Sequence, residues 1–162
     1  IEMDKAAEQG DPLAFPLPHP TVDGSPYDFS FSGLKTAVIN LLHNAAQKGE
    51  SLSVPDLSAS FRKAVVDCLV KNFVRAAQDT GAETLVIAGG VSANSLLRRR
   101  LEEECASHGW PFCRPDLSLC GDNAAMVGAQ AYFEYQAGFL AGMSLNACAA
   151  MDIAQQPALQ GL

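Results

Sequence analysis

The chain has 162 residues, 48% of them hydrophobic and 18% charged, a composition that fits a globular protein and excludes a disordered one. With 11 basic and 18 acidic side chains its formal charge is −7, so on average its surface repels a phosphate backbone and any nucleic-acid contact needs a local basic patch or a partner. No apolar run approaches the roughly 18 to 20 residues of a membrane-spanning helix, and the opening IEMDKAAEQG has neither the basic nor the apolar region of a secretion signal; a cytoplasmic protein with no membrane partner is expected.

The chain starts on Ile1 inside what reads as a helix, which gives the expectation of a piece of a longer protein. Met3, Ala6 and Ala7 are the apolar positions of that helix, and Gly10 is its stop. Residues 11 to 27 carry five prolines and the turn pairs Asp11-Pro12 and Asp23-Gly24, so they read as loop, with His19 facing solvent. Phe29 and Phe31 alternate with polar neighbours like a short strand. From Gly33, Leu34, Val38, Leu41, Leu42 and Ala45 recur at helical spacing to about Gln47, and Gly49 ends the run. Lys35 sits near the start of that helix, where a cation opposes the dipole; it is either an anion contact or a solvated side chain.

Ser53 and Pro55 signal the start of a long helix whose stripe is Phe61, Ala64, Val65, Cys68, Leu69, Phe73 and Ala76, closed by Gly81. In that stripe Cys68 is a small buried hydrophobe. TLVIAG then reads as a buried strand, Gly89 and Gly90 as a turn, and Ser92 or Asn94 as the cap of a helix that buries Leu96, Leu97 and Leu101. Arg98, Arg99 and Arg100 point three ways and read as a solvated face paired with the following glutamates. WPFCRP is a second short strand, so strand, helix, strand implies parallel pairing. A loop, DLSLCGDN, precedes a small-residue helix expected to pack closely, and the tail from 139 to 162 reads as weakly structured.

The loops GGVSAN and SLCGDN follow successive strands and therefore lie at the same carboxyl edge, where open α/β sheets bind ligands. Asn94 and Asp122 are the polar side chains they carry. Each is open to two readings: a helix cap, or a ligand contact, which for Asp122 means a metal or a phosphate-bound cation. The patterns GxSxG, GxGxxG and GxxxxGK[ST] are absent, and His43 and His108 have no serine elbow nearby, so no nucleophilic triad, classical dinucleotide fold or P-loop is expected. Cys68, Cys105, Cys113, Cys120 and Cys148 are odd in number without a CxxC pair; reduced thiols are expected rather than a zinc site.

Four segments in order, DFSFSGLKTA at 28 to 37, VVDCLVKN at 65 to 72, LVIAGGVSANSLLR at 85 to 98 and CGDNAAM at 120 to 126, resemble the C-terminal half of the tRNA threonylcarbamoyladenosine transferases, the bacterial TsaD family and its archaeal and eukaryotic counterparts, formerly called O-sialoglycoprotein endopeptidases. The resemblance implies an α/β chain forming the second lobe of an actin-like ATPase fold (ASKHA: actin, sugar kinase, Hsp70), spanning 1 to 162 with the first lobe absent. It implies transfer of threonylcarbamoyl from threonylcarbamoyl-adenylate to N6 of adenosine 37 in tRNAs reading ANN codons. Asn94 is similar to the family's nucleotide-contacting asparagine, Gly89 and Gly90 to its nucleotide-binding turn, Asp4 to its ribose-contacting aspartate and Asp122 to a carboxylate ligand of its iron or zinc. The implied nucleotide is threonylcarbamoyl-adenylate or ATP, and the implied partners are tRNA and the companion subunits TsaB and TsaE; no catalytic residue is assigned.

The family's two metal-binding histidines in HxxxH, its SGGHT loop and a further aspartate have no counterpart in these 162 residues, and His19, His43 and His108 do not match them. The chain alone is therefore expected neither to hold the metal tightly nor to transfer threonylcarbamoyl. Lys35 and Arg98 to Arg100 are the local candidates for tRNA contact. Two other readings stand beside this one: a sugar or acetate kinase-like lobe, which would lack FSFSGLKT, and a non-catalytic scaffold paralogue, against which the intact Asp122-Asn123 pair argues.

Overall fold

The structure, a computed structural model, describes residues 2–19, 22, 24, 26–143, 145–147 and 149–150. The chain divides into two units, Ile1–Cys120 and Gly121–Leu162. The first holds a short helix α1 (Glu2–Ala7), α2 (Ser32–Lys48), α3 (Val54–Thr80), strand β1 (Leu85–Val86), α4 (Ser95–His108) and strand β2 (Phe112–Cys113); the second holds α5 (Ala124–Gln136).

The strands pair in parallel, Leu85 opposite Phe112 and Val86 opposite Cys113, with α4 as the crossover. Flanking bonds from Leu85 N to Pro111 O (2.9 Å) and from Ile87 N to Cys113 O (3.1 Å) continue the ladder. The fold is thus mixed α/β around a small parallel sheet, shorter than the runs TLVIAG and WPFCRP suggest.

Helix α3 is the spine. Ser53 caps it, its hydroxyl accepting from Asp56 N; Pro55 occupies the first turn, where no amide donor is missed, and Gly81 closes it at φ 65°. Val66 and Val70 meet Leu97 and Leu101 of α4 in the core, with Leu69, Phe73, Ile87 and Phe112 packed around them. Ala77, Leu85 and Cys105 extend this core towards Trp110. Each fully buried Val or Leu in such a contact contributes about 1.5–3 kcal/mol. Cys68 and Cys105 are buried cysteines, and burial pushes the pKa of both up, so they behave as hydrophobes. Cys148 lies outside the described residues, as do Asp23 of the expected Asp23-Gly24 turn and the tail beyond residue 150; the described part of the tail carries no helix.

The segment after α1 is stitched onto the start of α3. Gly10 passes so close that a Cβ there would sit 2.1 Å from Pro55 O. Asp11 N donates to Asp56 Oδ1 (2.8 Å) and Phe15 N to Ser60 Oγ (3.1 Å).

Two expectations are corrected. Phe29 and Phe31 form no strand; their rings pack at 5.1 Å, and the side-chain amide of Asn72 donates to the carbonyls of Tyr27 and Asp28, so the segment finds a helix side chain where a strand would find a ladder. The small-residue helix α5 does not bury its residues: none is buried, and Val127 and Phe133 are 65% and 66% exposed. Small residues permit close approach but supply little apolar area to drive it.

Candidate functional site

Beyond β1 the backbone turns at Gly89, whose φ of 79° lies in the left-handed region that a Cβ disfavours; space is not the constraint, since a Cβ there would meet nothing within 4 Å. Gly90 opens a single 3-10 turn that runs to Ala93, so the chain does not pass directly from the glycines into α4. Ser92 is buried and locks this turn by donating from Oγ to Gly89 O (2.7 Å). Asn94 then caps α4, its Oδ1 accepting from Leu97 N at 2.9 Å. Of the two roles open to Asn94 the cap is therefore present, and it uses only the side-chain oxygen; the Nδ2 donors are the part of the amide left for a ligand.

Asp4 reaches this same helix start from the other end of the sequence. Its Oδ2 accepts the Ser95 amide at 3.1 Å and its Oδ1 accepts Arg62 Nη1 at 2.9 Å. Glu8 joins them, its Oε1 accepting from Arg62 Nη1 (2.6 Å) and from Ser95 Oγ (3.0 Å). Burial alone would raise the Asp4 pKa, but the hydrogen bonds from Arg62 and Ser95 outweigh it and hold the carboxyl below its ordinary range. The bond from Arg62 likewise lowers the more exposed Glu8. The first turn of α4 thus has two of its amides engaged by side chains of this chain, Ser95 N by Asp4 and Leu97 N by Asn94, which leaves fewer free donors for a phosphate than a generic helix N-terminus offers.

The arginines are corrected. Arg98 is not solvated: it is 7% exposed and ties the glycine turn to the segment after β2, donating from Nε to Ser92 O and from Nη2 to Pro115 O (2.7 Å) and Cys120 Sγ (3.0 Å). Arg100 pairs with Asp67 across to α3 (3.0 Å), while Arg99 and Lys35 are exposed.

In the second unit, Asp122 is exposed and does not cap α5. That role belongs to Asn123, whose Oδ1 accepts from Met126 N at 2.9 Å. The cap reading of Asp122 is thereby removed. Among the described residues no group of three or more His, Cys, Asp or Glu side chains could hold a metal, so this carboxylate is a single oxygen donor here.

Sequence reasoning did not pick out Arg62 and Glu8. The available signal was position: Arg62 lies three residues after Ala59 and four before Val66, both buried, so it falls on the inward stripe of α3, where an arginine needs partners.

The TsaD family model, tRNA N6-adenosine threonylcarbamoyltransferase, matches residues 1–129. The chain belongs to this family. The transferase family's curated members include the protein of Moorella thermoacetica, 45% identical over 146 residues, which cover 90% of this chain and 43% of that protein. The Bacillus subtilis transferase is 42% identical over 159 residues (98% and 46%), and that of Bacillus cereus is 46% identical over 152 residues (93% and 44%). The chain therefore spans less than half the length of the transferases it matches. Among solved structures, HypF of T. kodakarensis shares the fold, with a TM-score of 0.59 at 18% identity, over 86% of this chain and 17% of that one. No helix among the described residues of this family member is long and apolar enough to cross a membrane.

Proposed function

We propose that these 162 residues act as the C-terminal lobe of a two-lobed, actin-like tRNA N6-adenosine threonylcarbamoyltransferase, whose full-length form modifies adenosine 37 of tRNAs reading ANN codons. The observation that carries the reading is the meeting of Asp4 and Asn94 at the first turn of α4, in a chain that belongs to the transferase family.

In this reading the nucleotide of threonylcarbamoyl-adenylate, or ATP, lies over the glycine turn. Gly89 and Gly90 present backbone without side chains, Asn94 donates from Nδ2, and Asp4 accepts a ribose hydroxyl with the lone pairs that Arg62 and Ser95 leave unused. The N6 amine attacks the carbamoyl carbon; a C–N bond forms, the C–O bond to the adenylate phosphate breaks, and adenosine monophosphate departs with the electron pair while the amine proton goes to solvent. Asp122, exposed and not used as a cap, would supply one oxygen ligand to an iron or zinc ion, the remaining ligands coming from outside this chain. Bound there, such an ion supplies polarisation of the carbonyl. Transfer RNA and companion subunits of the TsaB and TsaE type are the partners of the full-length enzyme, and the cytoplasm is its compartment. With Arg98 buried, Lys35 and Arg99 are the two of the four expected tRNA contacts that are exposed and can be offered to the tRNA backbone.

The test is transfer of labelled threonylcarbamoyl to unmodified tRNA. The full-length transferase carrying this chain is expected to turn over, its D122A variant to lose at least about 100-fold in rate, and the 162-residue chain alone to be inactive. Turnover by the chain alone, or full activity in D122A, would refute the proposal.

A further inference from the structure

Helix α1 has six residues, too few to hold its own conformation in water, and buries only Ala7. Whatever Asp4 contacts, its position must come from outside α1. Beside the Ser95 amide and the contacts that dock residues 10 to 15 on α3, the structure supplies a rigid source at the Asp4 carboxylate itself. Arg62 projects from the 27-residue α3, is 7% exposed, and reaches α1 through four bonds: Nη1 to Asp4 Oδ1 (2.9 Å), Asp4 O (3.2 Å) and Glu8 Oε1 (2.6 Å), and Nη2 to Ala7 O (3.3 Å). Two of these acceptors are terminal carbonyls of α1, where a fixed positive charge also satisfies the negative end of the helix. A fifth bond, Nη1 to Ser95 Oγ (3.3 Å), ties the same guanidinium to the start of α4, next to Asn94.

We infer that Arg62 is a positioning residue for nucleotide recognition: one guanidinium sets the Asp4 carboxylate against the first turn of α4 and so fixes its distance and angle to Asn94. The inference rests on the reading of Asp4 and Asn94 as nucleotide contacts. Arg62 touches no substrate in this scheme; it acts through Asp4. Its Nε is buried without an acceptor among the described residues, so the pocket does not minimise the cost of enclosing an arginine. An apolar side chain would avoid that cost, and it would release Asp4. Two nitrogens of the plane share the contacts, Nη1 reaching both carboxylates, Asp4 O and Ser95 Oγ while Nη2 reaches Ala7 O; a lysine has a single nitrogen and would give up the second anchor on Ala7 O.

The experiment uses the full-length transferase and steady-state kinetics in threonylcarbamoyl-adenylate. D4A and R62Q are each expected to raise KM about tenfold, as loss of an orienting partner typically does, with kcat within about twofold. The double variant is expected to be no worse than D4A alone, because the two changes remove one interaction. A merely structural arginine would instead lower the active fraction, and with it kcat, at unchanged KM. If D4A raises KM and R62Q does not, or if the two effects multiply, Arg62 does not position Asp4 and the inference fails while the nucleotide reading stands. If D4A leaves KM unchanged, the nucleotide reading of Asp4 itself fails, and the inference with it. Should R62Q lose its cooperative thermal transition, R62K and E8A replace it: a rise of several-fold in KM in either supports positioning, and unchanged KM in both overturns it.

Discussion

Replacing Arg98 by alanine removes a side chain that bonds both the glycine turn and the segment after β2. The carbonyls of Ser92 and Pro115 lose a charged donor, and hydrogen bonds of that kind contribute about 1.5–3 kcal/mol each. The aliphatic stem, buried with the rest of the residue, leaves a void beside Ser92 and Cys120. Subtracting the relief of no longer burying a cation, R98A is expected to cost roughly 3–5 kcal/mol. Against a total stability of about 5–15 kcal/mol, that is a large fraction, equivalent to a fall in Tm of roughly 10 °C for a chain of this size. Urea and thermal unfolding followed by circular dichroism would measure it, with R99A as the exposed control, expected within about 0.5 kcal/mol of the parent. R98K, which keeps the charge but not the fork, should fall between them. If R98A costs no more than R99A, the guanidinium is not holding the two segments together and the account of the turn is wrong.

Two further outcomes follow from the packing and charges of α1. G10A places a methyl 2.1 Å from Pro55 O, which is backbone and cannot swing away; a loss of about 1–3 kcal/mol and faster proteolysis between residues 10 and 15 are expected, and an unchanged Tm would mean that α1 re-docks freely. Asp4, Glu8 and Asp67 all have carboxyl pKa values lowered in the folded state, so their contribution is fully present above the ordinary carboxylate range of about 4 and is lost as pH falls through it towards the lowered values. The urea midpoint should therefore be flat from about pH 7 to about 5 and then decline, with a shallower decline in R62Q, which removes the partner of the first two; equal slopes in both proteins would contradict the assignment.

The readable parts of this fold were those set by local rules. Gly49 and Gly81 end their helices in the left-handed conformation, Ser53 and Asn94 cap theirs, and Leu85–Val86 and Phe112–Cys113, within the runs at 85 to 88 and 110 to 115, pair in parallel as their separation by a helix requires. What could not be read was partnership across long separations. Arg98 looks like one of three solvated arginines, yet it lies three residues before Leu101 and seven before Cys105, both buried, so the face that holds them holds it too. Phe29 and Phe31 have a strand's alternation but no neighbouring ladder, a fact held in α3 rather than in their own segment. At the candidate site the sequence offered Asp4 and Asn94 as residues of interest and left the cap or ligand question open for Asn94 and Asp122; Asn123, which takes the cap of α5, and Arg62, which holds Asp4, are ordinary in their own windows.

The Arg62 cluster also constrains how the sequence can change. One cation is matched to two carboxylates, so a substitution at position 62 strands Asp4 and Glu8 side by side, and a substitution at either carboxylate leaves a buried charge underpaired. Positions 4, 8 and 62 are therefore coupled: the stability cost of changing two of them together is expected to depart from the sum of the two single changes.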